Sequence, residues 1–249
     1  MTAPSLAGRT ALVTGSGRNI GRAIALALAA EGARVAVNVR ASVAEGQAVV
    51  DEIQAAGGQG LLVRADVTQR AEVDAMLAAV LARFGRLDVL VNNASVRAEA
   101  PFHTLPYAQW RSAFDLTVDG AFHCTQAAFD ALCRSPAGTI VNISGMTAST
   151  GAPGRAHVVA AKAALEGLTR ALAHEFAPHG VTVNCVSPGL VDTVRSGAAP
   201  RHHAASATLL GRRGQPGEIA AAVTWLAGDG GRFVTGQVLH VNGGAFLGG

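Results

Sequence analysis

A chain of 249 residues fills one large domain with a substantial core, and a second full domain would be cramped within it. Hydrophobic residues make up 49% but aromatic residues only 4%, so the core is expected to be built from small aliphatic side chains; 30 glycines and 9 scattered prolines exclude a fibrous repeat and argue against disorder. The net charge of +3 is dispersed, and the short Arg212-Arg213 pair stands near acidic Glu218, so the balance speaks for solubility or a phosphorylated small ligand and against nucleic acid.

Apolar runs alternate with helical patterns along the whole chain. A strand is predicted at Thr10 to Thr14, then a glycine-rich turn, a helix from about Asn19 to Glu31 and a strand at Arg34 to Val39. A helix through the later forties and early fifties ends before Gly57-Gly58, and Leu61 to Val63 reads as a third buried strand. A helix around Val73 to Phe84 and a strand at Leu87 to Val91 follow, and two helical stretches occupy much of Tyr107 to Leu132. The pattern continues with a strand at Thr139 to Ile143, a helix at about His157 to Phe176 and a strand at Val181 to Val186. Pro216 suits the first turn of a helix running toward Leu226, where a missing N–H costs nothing, and Val238 to Val241 is the last strand. Uninterrupted apolar strands joined by helical crossovers predict an α/β, doubly wound parallel sheet covered by helices on both faces, with residues 1–249 as a single dinucleotide-binding, Rossmann-like domain. Residues 190–215 are the longest irregular candidate and read as a mobile rim of the pocket.

No basic segment precedes a secretory hydrophobic run, and apolar stretches such as Ala23 to Ala30 fall short of the roughly 20 residues a membrane-spanning helix needs. The expectation is a soluble, cytoplasmic protein without a membrane partner. Cys124, Cys133 and Cys185 show neither paired spacing nor a metal-ligand pattern and read as reduced core residues, with no metal site.

The strongest local signal is Thr14-Gly15-Ser16-Gly17-Arg18-Asn19-Ile20-Gly21, placed between the first strand and first helix. Gly15, Gly17 and Gly21 make a tight turn whose backbone amides approach a pyrophosphate, and the helix N-terminus adds positive potential. A packing turn without ligand is the competing interpretation. At the end of the second strand, where NAD sites often carry an acid for the adenosine ribose, stand Val39 and Arg40. Arg40 and Arg18 in one crossover favour a ribose phosphate, hence NADP over NAD, although each alone would suit solvent. Asp66 follows the third strand and Asn92-Asn93-Ala94 the fourth, on the ligand-binding edge of such a sheet; Asp66 is a candidate for adenine-side contacts and Asn92 for lining the crevice, against turn capping for both.

Together these segments resemble the short-chain dehydrogenase/reductase family, in its 3-oxoacyl-carrier-protein reductase-like members, over nearly the whole chain. The resemblance rests on Thr14 to Gly21, Asp66-Val67, Asn92-Asn93-Ala94, Lys162, Ser187-Pro188-Gly189 followed by Thr193, and the closing Asn242-Gly243-Gly244. It implies a seven-stranded parallel sheet and a homo-oligomer, with a tetramer favoured over a dimer. By the same resemblance Lys162 touches the nicotinamide ribose, Pro188, Gly189 and Thr193 lie near the nicotinamide, and Asn92 to Ala94 line the cofactor site; Gly15, Gly17, Arg18, Asn19, Ile20, Gly21, Asp66 and Val67 are further cofactor-binding candidates.

The chain departs from the family where protons move. The family's tyrosine, four residues before its lysine on one helix face, matches Val158 here; its serine matches Gly145, after Ser144; and the helix position that carries asparagine matches Thr117. Asn19 replaces the middle glycine of the turn, a residue that tolerates left-handed geometry better than most, and Ser95 replaces a common glycine after Ala94. Tyr107 is the only tyrosine and lies far upstream, while Lys162 is the only lysine beside 19 arginines. Substitute proton donors are His157, which titrates in the right range but is turned about 100° from the tyrosine face, and Thr117, with His103, His202 and His203 as lesser candidates. The leading expectation is an atypical NADP-dependent oxidoreductase of a small carbonyl or alcohol, with Lys162, Thr117 and His157 as its catalytic candidates. A noncatalytic NADP-binding or scaffolding protein, or a non-redox isomerase, lyase or cyclase that reuses the pocket, compete with it.

Overall fold

The computed structural model describes residues 5–194 and 208–248. β1 (Thr10–Val13) leads through the glycine turn into α1 (Asn19–Ala30), whose buried Ile20, Ile24, Ala25 and Leu28 recur at helical spacing. β2 (Arg34–Val39), α2 (Val43–Ala55), β3 (Gln59–Arg64), α3 (Arg70–Phe84) and β4 (Val89–Asn92) complete the first half. In the second half α4 (Tyr107–Phe114) runs through a π-helical turn at Asp115–Asp119 into α5 (Gly120–Ala127), followed by α6 (Phe129–Cys133) and β5 (Thr139–Ile143). A one-turn helix α7 (Thr147–Thr150), which periodicity does not announce, precedes the long α8 (Ala156–Phe176) and β6 (Thr182–Pro188). α9 (Pro216–Ala227) starts at the expected proline inside a Gln215/Glu218 capping box, and β7 (Val238–Val241) closes the sheet.

All neighbouring strands are parallel and the order is β3-β2-β1-β4-β5-β6-β7. The seven-stranded, doubly wound expectation is met. Winding reverses between β1 and β4, and in such sheets ligands bind in the crevice beyond the carboxyl ends of the strands at that point. Both sheet faces are apolar. Val13, Val37, Val91 and Val141 point into one core with α1 and α9, whereas Leu12, Ala36, Leu90 and Ile140, one residue out of phase, point into the other with α3 and the end of α8. The largest fully buried side chains are all leucine or isoleucine, as the low aromatic content requires.

Half of the predicted rim at 190–215, residues 195–207, lies outside the described residues, His202 and His203 among them. At its edges Val191 bridges Gly214 in parallel, and Asp192 N–H donates to the Gly214 carbonyl at 2.9 Å. Among the described residues no helix is long and apolar enough to cross a membrane.

Candidate active site

A cavity of about 850 Å³ runs along the carboxyl edge of the sheet, from Arg40 beyond β2 to Thr193 beyond β6. Its size falls within the roughly 300–1,000 Å³ of small-molecule and cofactor sites. At its centre lies the glycine turn. Gly15 has φ +61°, and Gly21 packs so tightly that a Cβ there would sit 2.4 Å from the Gly15 carbonyl oxygen and 2.9 Å from Ser16 Cα. The N-cap residue Arg18 makes no side-chain capping bond to α1 and no acid occupies the first turn, so the helix presents the positive end of its dipole to the cavity. Gly15, Gly17, Arg18, Asn19, Ile20 and Gly21 all line the cavity.

Asn19 is the only non-glycine among the described residues with positive φ, at 52°. Its amide spans the mouth: Nδ2 donates to the Val194 carbonyl at 3.2 Å and Oδ1 accepts from Val194 N–H at 2.9 Å. The segment after β6 is thereby tied to the glycine turn, a contact that a glycine at position 19 lacks.

At the β2 end Arg18, Arg40, Asp66 and Val67 line the cavity together. Arg40 is largely exposed and lies 3.6 Å from the Asp66 carboxylate. Partial burial pushes the Asp66 carboxyl up, but the Thr68 N–H and hydroxyl (3.0 and 2.8 Å), with Arg40 after them, outweigh it and hold the group below the usual carboxylate range. Asp66 therefore both caps its own turn and orients Arg40.

Of Asn92, Asn93 and Ala94, all expected to line the crevice, only the last two do so. Asn92 is buried, donates to Asn142 Oδ1 at 2.9 Å and Thr125 Oγ1 at 3.2 Å, and does not line the cavity. Asn93, pointing the other way as successive extended residues do, lines it and donates from Nδ2 to the Thr14 and Gly15 carbonyls at 2.8 and 3.0 Å. Ala94 lines it as expected, with its N–H on Thr14 Oγ1 at 3.0 Å. A residue that no sequence motif singles out, Asn38 of β2, supports the turn from below by accepting from Gly15 N–H at 3.2 Å.

At the far end Gly145, Val158, Lys162, Pro188, Gly189 and Thr193 meet around the cavity. Val158 and Lys162 share one face of α8 and are both buried. Lys162 Nζ donates to the Ile143 carbonyl at 2.5 Å, and one turn on, Glu166 accepts from the Ser144 hydroxyl at 2.6 Å. Burial pushes the Lys162 ammonium down to about 8, the Arg97 and Arg155 guanidinium groups press the same way, and the Glu166 carboxylate opposes them. Two proton-transfer candidates are misplaced for the cavity. His157 is fully buried with Nε2 3.4 Å from Gln109 Nε2 of α4 and does not line the cavity, and burial, with Arg155 after it, lowers its pKa. Thr117 is buried within the π-helical turn, where its neighbour Leu116 reaches the cavity instead. His103 and Tyr107 are exposed away from it.

The lowered Lys162 pKa has a consequence for stability. The unfolded chain holds this proton up to about 10.5 and the folded chain only to about 8, so unfolded molecules bind more protons across that window and stability rises with pH through it. Below pH 8 the cost of burying the ammonium, on the order of 3 kcal/mol, is fully present. Denaturant melts of the parent and K162M between pH 7 and 11 should show the parent gaining relative to the variant across the window; parallel curves would refute a strained ammonium.

A family model described as enoyl-(acyl carrier protein) reductase matches residues 15–245. The chain is 40% identical over 242 residues to the 3-oxoacyl-[acyl-carrier-protein] reductase of Staphylococcus aureus, covering 96% of this chain and 98% of that one. Among solved structures, a short-chain dehydrogenase from Burkholderia cenocepacia in complex with NADP superposes with TM-score 0.91 at 35% identity, covering 97% of this chain and 99% of the other. A 7α-hydroxysteroid dehydrogenase complexed with NADH and 7-oxoglycochenodeoxycholic acid gives TM-score 0.92 at 33% identity, over 97% and 96% of the two chains. The chain belongs to the short-chain dehydrogenase/reductase family and has the fold of its NAD(P)-binding oxidoreductases.

Proposed function

We propose that this chain is an NADP-dependent oxidoreductase of a small carbonyl or alcohol, with proton transfer that does not use the family's serine and tyrosine. The observation that carries the cofactor part is the pairing of Arg18 and Arg40 at the β2 end of a cavity whose glycine turn has room for backbone alone. The glycine turn and the α1 N-terminus would take the pyrophosphate, Arg18 and Arg40 the ribose phosphate, and Lys162 the nicotinamide ribose. When bound, the dinucleotide supplies hydride; the chain binds, orients and manages charge. With Gly145 and Val158 apolar and with His157 and Thr117 turned away, Lys162 Nζ holds the one side-chain proton at that wall that leaves near neutrality, and water or the substrate itself would supply the rest. Other copies of the chain, in a tetramer, belong to the same reading.

The same apolar pair favours a second reading, a protein that binds NADP without turning it over. Calorimetric titration separates the cofactor claim from both. NADP(H) should bind at least tenfold more tightly than NAD(H), and R40A should remove most of that margin. Equal affinities in the parent, unchanged by R40A, would sink the assignment.

A further inference from the structure

The end of the cavity opposite Arg40 is lined by three basic side chains, Arg97, Arg155 and Lys162. Three separate segments build it: the irregular stretch after β4 with Arg97 and Glu99, the residues before α8 with Arg155, and the segment after β6 with Thr193. The first two are stitched together by a backbone bond from Ala100 N–H to the Gly154 carbonyl at 2.8 Å. Arg97 Nη1 reaches across to Thr193 Oγ1 at 3.2 Å, so its guanidinium is held over the mouth. Both arginines act electrostatically on the Lys162 ammonium, which places their charges at the same end of the cavity as Gly145 and Val158. Against Arg97, Arg155 and Lys162, Glu99 is the one carboxylate in this part of the lining among the described residues.

We infer that Arg97 and Arg155 form a carboxylate-binding subsite, and that the substrate is a small carbonyl or hydroxy acid whose anionic group docks there. Like charges gathered at a binding surface disfavour cationic partners and favour an anion over its neutral analogue. A guanidinium fork matches the two oxygens of a carboxylate, with a geometry that an ammonium lacks. A substrate anchored there presents its carbonyl to the wall formed by Gly145, Val158 and Lys162 without help from a long apolar tail. Neither residue stands out in the sequence, because both lie in irregular segments where no periodicity assigns a direction.

The inference rests on the oxidoreductase reading, and one set of titrations keeps the two apart. The parent, R97Q, R155Q and the double variant are titrated calorimetrically first with NADP⁺, then, with NADP⁺ present, with 2-oxobutanoate, 4-oxopentanoate and the methyl ester of each. The acids should bind at least tenfold more tightly than their esters to the parent. R97Q/R155Q should lose that preference while NADP⁺ affinity stays within about threefold, and R97K/R155K should recover part of it. Esters that bind as well as acids, or no binding by either, overturn the subsite. So does a loss of acid binding matched by an equal loss of NADP⁺ affinity, which would assign the arginines to the cofactor. Failure of the parent to bind NADP⁺ at all would instead overturn the oxidoreductase reading; the acid-over-ester comparison is then made on the chain alone and still decides the subsite.

Discussion

Replacing Gly21 by alanine is expected to lower NADP(H) affinity at least about a hundredfold and to cost roughly 1–3 kcal/mol of stability. A methyl group there meets the Gly15 carbonyl oxygen at 2.4 Å, Asn93 Nδ2 at 2.5 Å and Ser16 Cα at 2.9 Å. Two of these three atoms are backbone, and the third belongs to an amide already committed to the Thr14 and Gly15 carbonyls. The only relief is to move α1 away from the turn, which withdraws the helix N-terminus and opens the cradle that would receive the pyrophosphate. Gly167, inside α8 with nothing within 4 Å of an added methyl, is the control: G167A should hold or slightly raise stability and leave cofactor affinity alone. Calorimetric titration and denaturant melts of both variants check this, and a G21A protein that binds NADPH like the parent would show that the turn is packing and nothing more.

The fold is legible in the sequence because both faces of the sheet are buried. β2 and β5, which are largely buried, begin and end at the predicted residues, as does the half-buried β7, and Pro216 marks the start of α9. Less legible are elements whose cause is tertiary. The one-turn helix Thr147–Thr150 has no periodicity to read, and the π-helical turn at Asp115–Asp119 inserts one residue into a helix that sequence alone treats as continuous. In the site, motif positions reach the right turn and the wrong neighbour. Asn92 and Asn93 are equivalent by composition, and which one faces the cavity is decided by the phase of β4, which turns Asn92 onto Asn142 of β5 and Thr125 of α5. His157 titrates in the right range, but the helical phase that puts Val158 and Lys162 on the cavity turns His157 onto Gln109. Asn19 is legible as a tolerated left-handed residue, not as the partner of Val194, because 175 residues of chain separate them.

The same phase makes the second large effect testable. Introducing serine and tyrosine together, G145S/V158Y, should raise NADPH-dependent reduction of small carbonyl compounds at least about a hundredfold over the parent and by more than the product of the single gains. The parent itself should be slow, because neither Gly145 nor Val158 offers a proton or a hydrogen bond. The structure leaves room at Gly145 and places Val158 on the cavity wall. A Cβ at Gly145 meets nothing within 4 Å, and Val158 already faces the cavity, one helical turn before Lys162. A tyrosine hydroxyl there would lie close to the Lys162 ammonium, whose charge favours the phenolate and makes the phenol a better acid. The serine hydroxyl would complete the hydrogen-bonding surface for the oxygen of the substrate, so each group works only in the presence of the other. The measurement is a double-mutant cycle of kcat/KM at saturating NADPH on an oxo-acid and ketone panel, with melts run in parallel. Coupled enhancement would identify a redox pocket that lacks its proton-transfer pair. Folded variants that bind NADPH and show no gain across the panel would refute that account and leave a binding or non-redox role as the better reading of a cavity whose wall carries Val158 beside its only lysine.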